Sequence, residues 1–164
     1  MIVFGTRFLK GATLELLMKH GCLNVHAGVA PFYRGSDCNF WAQKDGNFGL
    51  VGVTLHKLSE DIDQGEILKQ FLPRQTTYEG FEFPMWVLLR SLQEISTMLI
   101  EGPTVSFEFR DQDQSQEIRY SVKSEFNSKL AQAYLKSPPK LDEINRSIED
   151  NQNKFDLKNA IFFD

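Results

Sequence analysis

Residues 1–26 read MIVFGTRFLKGATLELLMKHGCLNVH, and the fold turns on this stretch. The apolar run MIVF ends at Gly5, which fits a short strand of the buried kind. GATLELLMKHG follows. Its Leu14, Leu17 and Met18 share one helical face, Lys19 and His20 fall in the last turn, and Gly21 stands where a helix end favours glycine. CLNVH is strand-like again. A strand, a helix and a strand within about 25 residues form a βαβ unit, whose two strands run parallel.

In the second strand side chains alternate. Asn24 and His26 point to one face, Leu23 and Val25 to the other. The pair lies at the strand's carboxyl end, where open α/β sheets place their ligands. An amide and an imidazole N–H aimed at one point would stabilise an oxyanion. A carboxylate beside the imidazole would orient it and raise its pKa above the usual value of about 6.5. Asp63, in the downstream run DIDQG, can supply that carboxylate if its loop folds back across the strand ends. Neither cysteine lies in this set, which favours direct transfer over a covalent enzyme intermediate. Blander readings of the same residues stay open. Asn24 and His26 could belong to a capped loop, Tyr33-Arg34-Gly35 to a turn with an exposed Arg, and DIDQG to a solvated loop.

Further along, SDCNFWAQKDG suits a short helix with Ser36 as its N-cap. GLVGVTLHKL alternates Val51, Val53 and Leu55 against Gly52, Thr54 and His56, a strand pattern, and GEILKQFLP is another strand. Residues 79–102 carry the longest helical pattern, with Pro84 in the first turn and Gly102-Pro103 as the stop. VSFEF and IRYSV, separated by the polar run RDQDQSQE, suggest a hairpin. SEFNSKLAQAYLKS suggests a short helix before Pro138-Pro139. Residues 140–164 are charged and Asn-rich. The expected layout is therefore a catalytic region over 1–102, a small hairpin and helix extension over 103–139, and a polar C-terminal tail over 140–164.

The chain has 164 residues, 41% apolar and 24% charged, ordinary values for a soluble domain with a core. Fourteen Phe point to an aromatic-rich interior. A net charge of −4 argues against a broad nucleic-acid footprint. Cys22 and Cys38 suit a reducing cytosol rather than a disulfide framework, and no Cys/His spacing resembles a zinc site. The opening lacks a long apolar run, so neither a signal peptide nor a membrane span is expected.

The run LNVHAGVAPFYRG, followed by GVTLHKLSEDIDQGEILKQ, resembles the folate-dependent formyltransferase family. That family carries a strand ending Asn-x-His-x-x-x-x-Pro-x-x-x-Gly, then a Gly-Val-Thr-x-His strand, then an Asp-x-Gly loop. The resemblance implies a Rossmann-like, mostly parallel open sheet and transfer of a formyl group from N10-formyltetrahydrofolate to a primary amine, with no metal. It implies that Asn24 and His26 polarise the carbonyl and that Asp63 pairs with His26 and helps shuttle protons. It places Arg7, Phe8 and Leu9 in the folate groove, and Leu58, Ser59, Glu60, Asp61 and Ile62 in a loop closing over the pterin. His26-Ala27-Gly28 departs from the family's usual His-Pro-Ser, and Val29-Ala30 from its usual pair of leucines. The version here looks most like the branch acting on small amines, including nucleotide-linked amino sugars. Hydrolysis of formyltetrahydrofolate, transfer to methionyl-tRNA, and a silent binding chain are the rival readings. Family members carry further N-terminal strands, so the sheet here is expected to lack them. A second copy or a partner is then expected to cover the edge at MIVF.

Overall fold

The computed structural model describes residues 1–6, 8–100, 108–158 and 160–164. In chain order the strands and helices are β1 (Ile2–Phe4), α1 (Gly11–Lys19), β2 (Leu23–His26), β3 (Tyr33–Gly35), α2 (Cys38–Lys44), β4 (Val53–Lys57), β5 (Ile67–Pro73), α3 (Glu82–Ile100), β6 (Arg119–Ser121), α4 (Ser128–Lys136), α5 (Leu141–Lys154) and β7 (Ala160–Phe163).

The opening βαβ unit is present. β1 and β2 pair in parallel, with Ile2 opposite Leu23 and Phe4 opposite Val25. Gly21 adopts φ 63°, and its N–H reaches Met18 O at 2.9 Å to close α1. β1 has the composition of a buried strand but forms the sheet's outer edge, with Ile2 37% and Phe4 46% exposed, the open edge expected at MIVF. One expectation is corrected. No residue of α1 is buried, so its apolar face lacks the cover that the sequence pattern anticipates.

The five-stranded sheet has the order β1-β2-β4-β5-β7. Four strands share one direction and β4 runs against its neighbours on both sides. The reversal follows from the short 58–66 connection between β4 and β5, which permits only a hairpin-type return. β5 lies deep, with Leu68, Phe71 and Leu72 fully buried. α3 lays Phe83, Val87, Ile95 and Met98 into the core along one stripe. The many Phe do gather inside: Phe40 stacks with or abuts Trp41, Phe81, Phe126 and Tyr134.

The C-terminal third differs most from expectation. The expected hairpin partner of IRYSV, VSFEF, falls mostly on residues outside those described. Residues 119–121 pair in parallel with β3, forming a separate two-stranded sheet. α2 has Asp37, not Ser36, at its N-cap position. Residues 140–164 are not a tail. β7 pairs in parallel with β5, and α5 places Ile144 and Ile148 in the core. The helix reads as polar because its apolar residues are confined to one narrow face. Asn151 Oδ1 accepts from Gly49 N at 3.0 Å, an approach that Gly49 allows because a Cβ there would lie 2.6 Å from Asn151 Cβ. Ile148→Ala should therefore cost about 2–5 kcal/mol in urea unfolding, as a cavity in a packed core does. A loss near zero would mean that α5 is not part of the fold.

Candidate active site

Asn24 and His26 stand on the same face of β2, as alternation requires. The antiparallel pairing with β4 sets His56 directly opposite Asn24 and Thr54 opposite His26. Thr54 Oγ1 donates to Gly28 O at 2.8 Å and accepts from Ala30 N at 3.0 Å, so β4 also fixes the loop that follows β2. Gly28 matters for another reason. A Cβ there would fall 2.5 Å from His26 Nε2 and 2.5 Å from Cys38 Cβ, so the imidazole occupies space that only glycine leaves.

Asp63 arrives from the β4–β5 loop with φ 55°, a left-handed conformation that Asp tolerates better than most residues. Its Oδ2 accepts from Gly35 N at 3.0 Å and lies 3.3 Å from His26 Nδ1. Its Oδ1 accepts from Asn24 Nδ2 at 3.4 Å and lies 3.6 Å from His56 Nε2. Three features hold this loop down. Gln112 Nε2 donates to Asp63 O at 2.8 Å and to Gly65 O at 2.7 Å. Arg34, buried rather than on an exposed turn, pairs with Glu117 and donates to Ile62 O at 3.4 Å. Gly65 rests against β4, where a Cβ would meet Lys57 O at 1.8 Å. The Asp-x-Gly spacing is thus a contact requirement: the glycine lets the loop touch β4 and the Asp two residues earlier reaches over the strand ends.

His26 Nε2 lies 3.0 Å from Tyr33 O, which can only accept, so Nε2 carries a proton. Nδ1 faces Asp63. Burial pushes the His26 pKa down and the Asp63 carboxylate pushes it up, and burial prevails, so the net lies below the ordinary value. This corrects the expectation of a pKa above the ordinary value, although Asp63 does act in that direction. Asp63, 3.3 Å from Nδ1, is placed to balance a proton held there. Asp63 itself is held below the usual carboxylate range. Burial works against its charge, and the His26 charge, the His56 contact and the Gly35 N–H together outweigh that.

Both shifts have the same consequence for stability. A group whose folded pKa is depressed binds more protons in the unfolded chain, so stability falls as pH falls. The thermal midpoint should decline from about pH 6.5 downward as unfolded His takes up protons, and more steeply below about pH 4 as Asp does. His26→Gln should flatten the first limb and shrink the second, since the His26 charge is the largest influence holding the Asp63 pKa down. A midpoint that rises on acidification through this window would contradict the assignment.

These residues open on a cleft of about 800 Å³, within the range of small-molecule sites. Phe8 and Leu9 line one side, and Leu58, Ser59, Glu60, Asp61 and Ile62 form the loop wall. Every expected site residue is therefore at the cleft except Arg7, which lies outside the described residues. Two parts of the site escaped the sequence reading. His56 contacts Asn24, whereas the sequence pattern marks it only as a strand residue. Its place on the polar face of GVTLHKL, beside Thr54, was the available signal. The far rim, Tyr120 to Lys123, comes from β6. Gly35, at φ 90°, lets Ser121 O approach to where a Cβ would sit at 2.0 Å, a pairing across more than eighty residues with no local sequence sign.

The sequence pattern of the formyl transferase family matches residues 1–75. The match takes in just under half of the 164-residue chain. Methionyl-tRNA formyltransferase of Lachnospira eligens is 40% identical over 68 residues, 42% of this chain and 21% of that protein. The same enzyme of Pseudothermotoga lettingae is 32% identical over 100 residues, 61% of this chain and 32% of that protein. The chain thus spans between a fifth and a third of the length of these relatives. Among solved structures, the formyltransferase PseJ from Anoxybacillus kamchatkensis superposes with a TM-score of 0.54 at 22% identity, over 90% of this chain and 74% of that one. It was solved with UDP-4,6-dideoxy-4-formamido-L-AltNAc and tetrahydrofolate. A 4-N formyltransferase from Francisella tularensis gives 0.57 at 21% identity, over 75% and 49%. At these identities the structural likeness speaks for a shared formyl transferase fold. Among the described residues no helix is long and apolar enough to cross a membrane.

Proposed function

We propose that this formyl transferase segment carries the catalytic site of a folate-dependent N-formyltransferase. It moves a formyl group from N10-formyltetrahydrofolate to a primary amine, either a small one or a nucleotide-linked amino sugar. The observation that carries the reading is the convergence of Asn24, His26 and His56 on Asp63 at the floor of the cleft.

The amine nitrogen attacks the formyl carbon, and the carbonyl oxygen becomes an oxyanion. Asn24 donates an N–H to that oxygen. The ammonium nitrogen then loses a proton to the neutral His26, whose new charge Asp63 balances. The oxyanion re-forms the C=O bond, the bond from carbon to N10 breaks, N10 takes the proton back from His26, and tetrahydrofolate and the formamide leave. Phe8 and Leu9 on one wall and Leu58–Ile62 on the other flank the pterin and exclude water. No step calls for a metal. The fold accommodates such substrates in the Anoxybacillus enzyme, which was solved with both a nucleotide-linked formamido sugar and tetrahydrofolate.

Methionyl-tRNA is the second reading, favoured by the names of the sequence relatives. The net charge of −4 weighs against a chain that tracks a phosphate backbone. The exposed β1 edge, with Phe8 57% exposed beside it, supports a second copy or partner chain on that side. Sedimentation of the purified chain tests this, and a stable monomer across concentration would refute it.

Mass spectrometry of mixtures with N10-formyltetrahydrofolate, with and without a primary amine, separates the readings. A formylated amine is the expected product. Formate released equally with or without amine would make the protein a hydrolase, and no turnover with any acceptor would leave a binding role.

A further inference from the structure

His56 takes no chemical step in the transfer, yet it is only 1% exposed and sits against Asn24. We propose that His56 is a positioning residue that fixes which end of the Asn24 amide faces the formyl oxygen. The inference rests on the formyl-transfer reading of the site.

The assignment follows from which atoms can donate. His56 Nδ1 lies 2.7 Å from Lys57 O, an obligate acceptor, so Nδ1 carries the ring proton. In the neutral ring Nε2 is then bare. It lies 3.1 Å from Asn24 Nδ2, and a bare ring nitrogen pairs with an amide N–H but not with an amide oxygen. Asp63 Oδ1, 3.4 Å from the same Nδ2, is a second acceptor on that side. A flipped Asn24 would set its oxygen against both lone pairs and would present oxygen where negative charge develops. His56 and Asp63 together exclude that flip.

The two bonds differ in strength. The 3.1 Å contact commits one N–H of Asn24 to His56, and the 3.4 Å contact leaves the other loosely held by Asp63. The first bond fixes the amide plane, and the weakly held second N–H is left for an oxyanion that approaches along it. The geometry is built into the sheet. Asn24 and His56 are cross-strand partners, and Gly65 leaves room beside the ring, where a Cβ would lie 3.2 Å from Nδ1. It resembles the way outer groups orient metal ligands, with the amide in the ligand's place.

Two variants and one spectrum test this. His56→Leu removes the acceptor and should lower kcat by about 10- to 100-fold, leaving KM for N10-formyltetrahydrofolate within about twofold. His56→Gln offers its Oε1 to Asn24 Nδ2 and should recover most of kcat. Loss of activity in both variants in proportion to thermal stability, or in neither, would reduce His56 to a packing residue and overturn the proposal. In the parent chain, ¹⁵N spectra should show Nδ1 protonated and Nε2 bare, with Asn24 side-chain amide protons slow to exchange, and His56→Leu should abolish that protection. The opposite tautomer, or protection unchanged in His56→Leu, would overturn it. This spectral arm decides the matter even if the parent chain transfers no formyl group, a result that would count against the transferase reading instead.

Discussion

Asp63→Asn should reduce formyl transfer by about 10²- to 10⁴-fold, the usual worth of a placed acid–base partner, while the protein stays folded. The carboxylate meets His26 Nδ1 at 3.3 Å and Gly35 N at 3.0 Å through Oδ2, and Asn24 Nδ2 at 3.4 Å through Oδ1. An amide fits the same space, and its one oxygen can still accept from Gly35. It cannot balance the imidazolium that forms when His26 takes the amine's proton. With its oxygen in the Oδ2 place, it also turns its N–H groups toward Asn24 Nδ2, where the native Oδ1 accepts. Burial already disfavours a charged His26 and only Asp63 opposes that strongly, so the variant's imidazole should become a weaker base still. The low-pH limb of the stability profile should vanish with the carboxylate. Near-native turnover with an unchanged pH profile would remove Asp63 from the chemistry.

Gly65→Ala should be among the most damaging single changes in the chain, lowering both stability and turnover. Its backbone φ is ordinary; the constraint is contact. The added methyl would sit 1.8 Å from Lys57 O and 2.7 Å from Lys57 C, and backbone cannot swing aside as a side-chain tip can. The base of the β4–β5 connection must open, which strains the 2.9 Å bond from Lys57 N to Glu66 O. The expected cost is about 3 kcal/mol, at the upper end for overpacking. Lys57 O also receives the His56 Nδ1–H, and Asp63 is two residues away, so the site should be displaced with the loop. Gly46→Ala is the control. It sits at φ 77° with open space around it, so it should cost about 1 kcal/mol and leave turnover alone. Denaturant unfolding and steady-state rates on the two variants check both claims.

The contrast shows what the sequence could and could not reveal. Local patterns were sufficient for the first half of the sheet. Four residues of alternation placed Asn24 and His26 together, and Gly21 marked the end of α1. The same alternation in GVTLHKL held His56 on the polar face, but its importance depends on pairing with β2, which only the fold supplies. Longer-range features left no local trace. β6 joins β3 across more than eighty residues, and β7 joins β5 after three helices. α5 looked like a tail because two isoleucines and one asparagine make all of its buried contact. Gly28 and Gly35 stood in the sequence as departures or turn residues, whereas each clears space for an atom of the site: His26 Nε2 in one case, Ser121 O in the other. The motif displays the charge partner of His26 but not the depth of burial, and burial sets the direction of the shift.

The central claim is that the cleft over Asn24, His26 and Asp63 receives the formyl group of a folate. Crystals of the chain soaked with a non-reactive N10-formyltetrahydrofolate analogue test it without knowledge of the acceptor. The account predicts the pterin between Phe8–Leu9 and the Leu58–Ile62 loop, with the formyl oxygen about 3 Å from Asn24 Nδ2. An analogue bound elsewhere, or a cleft still empty at saturating concentration, would contradict it.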